Sequence, residues 1–442
     1  MQKTNLFFHR GPIRDRSHFF NRQREVSQAL SLVANGQSVS LIGPRRIGKT
    51  SFLFYITDPQ IAASQGLRAD EFLFVYIDCG TLSGLDQAGI FRGLLEDARA
   101  AMIERGLSIP FDTLDDLSPI SFRAFEQALG KLFAQRLKPV LMLDEFELLS
   151  HNPALGPDFF SGLRALASRY PLSYFTASRQ PLLELTYANS SALSSPFFNI
   201  FATIRLRLLT DEDAHDLLKS LAERGGYAFS EQTITALLEM AGPQPLFLQM
   251  AGYHAFDLDQ TDADELERRF TADAYEHFVY AWRTLSAAEK WTLATFPASQ
   301  NDDVDALRSL EQKCLIVRQQ AGYEYFSAAF RAFAQSQPVD GLLQSGPIAI
   351  DGRSHQALLR GQALKITQSQ YDLLSILIEQ PGRVVSNEDL ERALWGETFI
   401  DDPERLKSVI KGLRRALGDD AARLENVRGI GYLWRGGKIE MP

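Results

Sequence analysis

The chain has 442 residues, too many for a single hydrophobic core, so roughly two to four domains are expected. At 45% hydrophobic and 23% charged it has the composition of a soluble globular protein, and its net charge of −9 argues against non-specific coating of nucleic acid while leaving room for a local basic face. Cys79 and Cys314 are the only cysteines, the seven histidines lack metal-ligand spacing, the start has no leader-like apolar core, and no apolar run approaches the ~18 residues of a membrane span; no disulfide framework, metal site beyond Mg²⁺, secretion or membrane insertion is expected, and a cytoplasmic location is.

From Phe20 an amphipathic helix is expected, with Val26, Leu30 and Val33 on one face. A short apolar run (Val39, Leu41, Ile42) then enters Gly43-Pro44-Arg45-Arg46-Ile47-Gly48-Lys49-Thr50-Ser51, a loop of the form G-x-x-x-x-G-K-T. Behind it Phe52, Leu53, Tyr55 and Ile56 continue at helical spacing. Strand, glycine loop and helix form the context that a phosphate-binding loop needs. Its glycines let backbone N–H groups close around phosphate oxygens, and the helix N-terminus adds the positive end of its dipole. Lys49 is placed to reach the β- and γ-phosphates, and Thr50 to offer its hydroxyl to Mg²⁺.

Further on, 72–78 reads as a buried strand and 91–103 and 122–137 as helices. Val140 to Leu143 form an apolar strand that ends in Asp144 and Glu145. In a parallel sheet such a strand delivers its acids to the C-terminal edge, where ligands bind. Asp144 is then placed to hold Mg²⁺, directly or through water, and Glu145 to orient or deprotonate an attacking water, while Glu147 reads as a surface acid. The stretch 171–179 is a further strand ending in a polar cluster, where Ser178 or Arg179 can face the γ-phosphate. A fifth strand is expected over 203–209, after which the pattern turns wholly helical: one helix from Asp211 to the Gly225-Gly226 pair, a second over 233–240, and a third entered through Gly242-Pro243-Gln244-Pro245.

The series Phe20-Asn21-Arg22-Gln23-Arg24-Glu25, GPRRIGKTS, LMLDEFE, FTASRQP and AGPQPLFLQ resembles the STAND-type signalling ATPases of the extended AAA+ class, and within them the archaeal and bacterial branch with G-P-R-R-x-G-K-T loops, over residues 18–335. The resemblance implies that Gly43, Gly48, Lys49 and Thr50 are Walker A, Asp144 and Glu145 Walker B, Arg179 the sensor arginine, and Pro245 the lid proline that packs near the adenine. With them Pro44, Arg45, Arg46, Ile47, Ser51 and Arg22 make up the expected nucleotide-binding set; Lys49, Glu145 and Arg179 are the expected catalytic residues; Thr50 and Asp144 the Mg²⁺ ligands. ATP or ADP is the implied ligand. Two positions depart from the family pattern: Asn21 replaces the glycine of F-x-G-R, and Pro243 replaces a second glycine before the lid proline.

Residues 285–326 read as helix, helix and hairpin turning at Ala321-Gly322, which resembles the winged-helix module that follows the lid in these ATPases; its poverty in basic residues points to an internal regulatory role. Short strands over 348–366 come next, then a capped helix from Thr367, a second helix from Ser386 to Trp395-Gly396, a third capped by Asp402-Pro403 and running to Leu417, and a hairpin turning through Val427-Arg428-Gly429-Ile430-Gly431-Tyr432. The strings PGRVVSNEDL, Trp395-Gly396, LRRALG and VRGIGY resemble the OmpR/PhoB-type winged-helix domain over residues 348–438. The family implies that the helix over 403–417 lies in the major groove and that the hairpin touches the minor groove or backbone. That helix turns Leu406, Val409, Ile410, Leu413 and Leu417 to a core and most of Arg405, Lys407, Lys411, Arg414 and Arg415 outward, with Arg428 at the wing.

The expected architecture is therefore multidomain α/β plus α+β: a parallel-sheet P-loop NTPase core over 1–209, a helical lid over 210–265, an internal winged helix over 266–335, a linker over 336–347 and an OmpR/PhoB-type winged helix over 348–442. The expected function is an ATP-binding, slowly ATP-hydrolysing switch that controls a DNA-binding transcriptional regulator. The alternative is a STAND-type defence or stress NTPase whose winged helices sense nucleic acid or a protein partner. Expected partners are double-stranded DNA, an activating signal or protein, and further copies in a nucleotide-dependent oligomer, but no membrane.

Overall fold

The computed structural model describes residues 3–8, 10–110, 118–187, 196–258, 262–296, 303–320, 322–339, 342–352, 356–396 and 404–436. It divides into two compact units, 1–273 with 312–314, and 274–311 with 315–442.

The first unit is built on five parallel strands: β1 (Ser38–Ile42), β2 (Phe72–Asp78), β3 (Lys138–Asp144), β4 (Ser173–Ser178) and β5 (Phe201–Arg205), in the order β2-β3-β4-β1-β5. The alternation along β3 explains why its residues are apolar on both faces. Leu141 and Leu143 join one core cluster with Phe91, Phe125 and Phe159; Val140 and Met142 join another with Val26, Leu30 and Phe52. Both faces are covered by helices, so the strands are mainly apolar, with Ser38, Ser40, Ser173, Thr176 and Ser178 as small buried exceptions on β1 and β4. The register pairs Ile42 with Ser178 and Asp78 with Asp144, which brings the ends of β1, β4, β3 and β2 to a single edge. The fifth strand begins at Phe201, two residues before the expected start.

Helix α1 (Gln23–Ala34) buries Val26, Ala29, Leu30 and Val33, as its spacing requires, and α2 (Lys49–Ile56) starts behind Gly48. Ahead of α1, Asn21 has φ 53°. Asparagine tolerates this left-handed conformation better than other residues with a side chain, which is why it can stand in the glycine position of the motif. Its amide also donates to Asp213. The lid contains helices Asp211–Arg224, Glu231–Ala241 and Pro245–Asp257, capped by Thr210, Ser230 and Gln244. A 21-residue helix, Ala263–Arg283, follows. The N-terminal stretch is a strap: Thr4 N–H donates to Gly225 O and Phe8 N–H to Gln249 Oε1 on the lid, and Ile13 N–H to Ser51 Oγ on α2. Phe7 anchors it, buried against Phe229 and Phe256.

Asp97, half-buried on helix Gln87–Glu104, has its pKa pushed up to about 6, first by burial and then by Glu96 and Asp78. A carboxyl with a raised folded pKa costs stability once pH climbs from its unfolded value through its folded one. Asp97→Asn is therefore expected to raise the melting temperature at about pH 7.5 and leave it unchanged near pH 4. Equal shifts at both pH values would remove ionisation as the cause.

The second unit takes in the last part of helix Ala263–Arg283 from Ala274, then helix Ala287–Thr295, opened by a Ser286/Glu289 capping box, and helix Val304–Gln312. The antiparallel hairpin of β6 (Ile316–Gln319) and β7 (Gly322–Tyr325) and helix Ala328–Ser336 complete the winged-helix layout. Ala321 of the expected turn lies outside the described residues. A four-stranded antiparallel sheet follows: β8 (Leu342–Ser345), β9 (Ile348–Asp351), β10 (Gln356–Leu359) and β11 (Gln362–Ala363). Its first strand falls inside the segment expected as linker, because Gly346 at φ 63° lets residues 342–351 fold back as a hairpin. Leu342, Ala349 and Leu358 of this sheet pack with Ala294 and Trp291.

Helices Gln368–Glu379, Asn387–Trp395 and Glu404–Leu417 then enclose a core of Leu374, Leu377, Leu406, Ile410, Leu413 and Trp434. The closing sheet is β12 (Val385–Ser386), β13 (Leu424–Val427) and β14 (Gly431–Trp434), in the order β12-β14-β13. The Asp402-Pro403 cap expected for the third helix lies outside the described residues. Among the described residues no helix is long and apolar enough to cross a membrane.

Candidate functional site

At the C-terminal edge of the parallel sheet a cavity of about 320 Å³ gathers the loop after β1, the acids after β3, Arg179 after β4, the lid residues Pro245, Leu246 and Gln249, and Phe8, Pro12 and Ile13 of the strap. Two glycines shape the loop for different reasons. A Cβ on Gly43 would lie 2.8 Å from Ile47 Cγ2 and 3.0 Å from Leu206 O, whereas Gly48 is needed for its φ of 101°. Arg46 also has positive φ, 66°, and its carbonyl accepts a 3.1 Å hydrogen bond from Gln244 Nε2, tying the loop to the lid. Ile47 is buried in the core and offers the site only its backbone.

Lys49 curls over the loop, its Nζ donating to Gly43 O at 2.8 Å and Pro44 O at 3.1 Å. Withdrawal from water lowers its pKa to about 8, against the pull of Glu147, Asp144 and Glu145. Thr50 Oγ1 donates to Asp144 Oδ2 at 2.7 Å, and Tyr76 Oη, from β2, donates to the same oxygen at 3.0 Å. The other carboxylate oxygen accepts from Glu145 N–H at 3.0 Å. A threonine hydroxyl and a carboxylate held this way form an oxygen donor pair of the kind Mg²⁺ takes. Glu145 lines the cavity with φ 51°, a strained conformation for a residue with a side chain at the entry of the short helix Phe146–Ser150.

Glu147 corrects the expectation of a surface acid. It is buried, it lines the cavity, and its Oε1 accepts from Arg179 Nε at 2.6 Å. Arg179 arrives from β4, the strand between β1 and β3, so a residue distant in sequence supplies the countercharge that makes burial tolerable. Arg22 is buried as well, donating to Arg207 O at 2.6 Å with Glu25 3.7 Å away; burial pulls its pKa down and Glu25 opposes this. Arg45 and Arg46 are exposed on the cavity rim, and the Ser51 hydroxyl is engaged by Ile13 N–H. Of the residues expected at the nucleotide site, Arg22, the loop from Arg45 to Ser51, Asp144, Glu145, Arg179 and Pro245 line this cavity, while Gly43 and Pro44 lead into the loop without lining it. Tyr76, Gln244, Glu147 and the strap are additions that the motif pattern does not reveal.

The basic residues of helix Glu404–Leu417 divide. Arg405, Lys407, Lys411 and Arg415 are exposed, as is Arg428 at the β13–β14 turn. The Arg405 guanidinium lies 4.2 Å from the Trp395 ring centre, and Lys407 pairs with Glu404 at 2.8 Å. Arg414 is turned away: half-buried, it donates to Leu424 O at 2.8 Å and pins the helix to β13.

Residues 24–300 match the family profile described as Novel STAND NTPase 2, and residues 361–434 match that of the C-terminal part of transcriptional regulatory proteins. Over 104 residues the chain is 33% identical to the sensory transduction protein RegX3 of Mycobacterium tuberculosis, covering 23% of this chain and 46% of that protein. Over 90 residues it is 37% identical to the response regulator protein PmrA of Pseudomonas aeruginosa, covering 20% of this chain and 40% of that one. The chain therefore spans less than half the length of these relatives. A solved Walker-type ATPase of Pyrococcus abyssi superposes with a TM-score of 0.57 at 16% identity, covering 75% of this chain and 100% of that one, a likeness of fold. With its parallel-sheet core and cavity on one side and its regulator-like C-terminal segment on the other, the chain belongs to the Novel STAND NTPase 2 family.

Proposed function

We propose that this protein is a nucleotide-controlled transcriptional regulator, in which ATP and Mg²⁺ bind at the sheet edge and their occupancy sets how the C-terminal winged helix engages double-stranded DNA. The observation that carries the reading is the convergence of Lys49, the Thr50–Asp144 pair and Arg179 on one cavity in a chain that also presents a basic helix and wing. In it, the loop after β1 holds the phosphates, Lys49 neutralises their charge, Thr50 and Asp144 hold the metal, and Pro245 and the strap close the base side. When bound, Mg²⁺ screens the phosphate oxygens. Glu145 orients or deprotonates the attacking water in a slow hydrolysis that resets the switch. Coupling between two such sites is typically worth about 1–3 kcal/mol, or ~5–150-fold in affinity.

The test is binding of the full-length protein to its own upstream DNA without nucleotide, with ADP and with a non-hydrolysable ATP analogue, across a salt series. A nucleotide-dependent shift that Lys49→Ala abolishes supports the reading. Specific binding indifferent to nucleotide, or none in any state, overturns it. On the DNA side, Lys411→Ala and Arg415→Ala are each expected to reduce the slope of log K against log salt by about 1, as loss of one phosphate contact does. Arg414→Ala is expected instead to lower the melting temperature with little change in slope. A slope loss confined to Arg414→Ala would reverse this assignment.

A further inference from the structure

Glu147 and Arg179 form the one ion pair described here whose two partners both line the cavity. Between these two side chains, Arg179 Nε reaches Oε1 at 2.6 Å, while Glu147 Oε2 is buried and accepts no hydrogen bond from the described residues. The Glu147 side chain is 9% exposed and that of Arg179 40%, so the acid is sealed in the wall and the arginine keeps an edge on the cavity. A carboxylate with one bare oxygen in a low-dielectric wall is costly, and its burial here is balanced by Arg179 and the nearby Lys49. Any anion entering the cavity beside Arg179 therefore competes with Glu147 for it. We propose that Glu147 is a positioning residue that holds Arg179 against the wall, and that only a nucleotide with a terminal phosphate draws Arg179 off it. Glu147 thereby sets how strongly the site prefers a nucleoside triphosphate to a diphosphate.

This rests on the reading of the cavity as a nucleotide site with Arg179 facing its terminal phosphate. In that arrangement, loss of the Glu147 charge favours both nucleotides through the general field, but the excess gain belongs to the triphosphate alone. The excess runs through Arg179, so it disappears when Arg179 is absent. A packing role for Glu147 would weaken both ligands alike and would not depend on Arg179.

The experiment is a double-mutant cycle on the full-length protein: wild type, Glu147→Gln, Arg179→Ala and the double variant, each titrated calorimetrically with ADP and with a non-hydrolysable ATP analogue in Mg²⁺. The expected result is a ~10-fold rise in the ratio of the ADP to the analogue dissociation constant in Glu147→Gln, absent in the Arg179→Ala background. If Glu147→Gln does not fold, Glu147→Asp, which keeps the charge but shortens its reach, is expected to move the ratio in the same direction by a smaller factor. An unchanged ratio, or the same rise without Arg179, overturns the proposal. Wild-type protein that binds neither nucleotide overturns the underlying site reading, and this inference with it; wild-type protein that binds both leaves the site reading standing whichever way the ratio falls.

Discussion

Lys49→Ala is expected to reduce affinity for ADP and for an ATP analogue by ~100-fold or more while leaving the unliganded fold intact. Nζ now satisfies two loop carbonyls, Gly43 O and Pro44 O, and it does so as a desolvated ammonium whose pKa is lowered to about 8. For this cation the cost of desolvation outweighs the pull of Glu147, Asp144 and Glu145, and water can reach those carbonyls from the cavity once the side chain is gone. The melting temperature of the unliganded variant should therefore match or exceed that of wild type. With an anion present the balance inverts, since hydrogen bonds between charged groups contribute about 1.5–3 kcal/mol each and Lys49 can make more than one. Wild-type protein at a hundredfold excess of ligand over Kd gains about 2.7 kcal/mol of stability; at the same ligand concentration the variant, bound ~100-fold more weakly, should gain no more than about 0.4 kcal/mol. Thermal scans with and without ADP decide the matter: ligand-induced shifts of equal size in the two proteins would take Lys49 out of the binding site.

The second large effect lies in the other unit. In VRGIGY two glycines stand two residues apart, and they are predicted to behave differently on substitution. A Cβ on Gly431 would come 1.9 Å from Val385 O and 2.8 Å from Ser386 Cα, both backbone atoms of the neighbouring β12, which cannot step aside without breaking the three-stranded sheet. Gly431→Ala is expected to cost about 4 kcal/mol or more and to unfold the sheet that carries Trp434. Gly429 has open space around it but sits at φ 79°, so Gly429→Ala is expected to cost only about 1 kcal/mol. Denaturant unfolding of the two variants checks this; similar losses would mean that the sheet yields where the geometry says it does not.

Much of this was legible before any coordinates. The loop from Gly43 to Thr50 carries its own backbone and side-chain chemistry, and Asp144-Glu145, a weak signal by itself at the end of an apolar run, gains its meaning from that loop. Glu147 was not legible, because an acid two residues past a strand end is normally solvated. Its burial is decided by Arg179, 32 positions away, which the strand order brings alongside. Tyr76 was hidden for a similar reason: along β2 it reads as one more aromatic, and only the pairing with β3 sets its hydroxyl on Asp144. The strap has no periodicity, since its contacts are backbone bonds to the lid and α2 rather than a repeating apolar face. Arg414 illustrates the limit of helix-wheel reasoning. Its angular position is close to the outward set, but the start of β13 lies within reach and claims it.

The tryptophans have an unequal distribution with a practical use. All four (Trp282, Trp291, Trp395 and Trp434) fall in the second unit, and the first unit has none. They occupy distinct settings: Trp434 is wholly buried, Trp291 borders the seam with the β8–β11 sheet, and Trp395 lies under the Arg405 guanidinium on the face expected to meet DNA. The unlabelled protein is thus its own spectroscopic sensor. Tryptophan emission, excited selectively over the 13 tyrosines, that changes when nucleotide is added originates in the part of the chain that carries the winged helices, and single tryptophan-to-phenylalanine variants can trace it to the seam, the core or the DNA-facing surface.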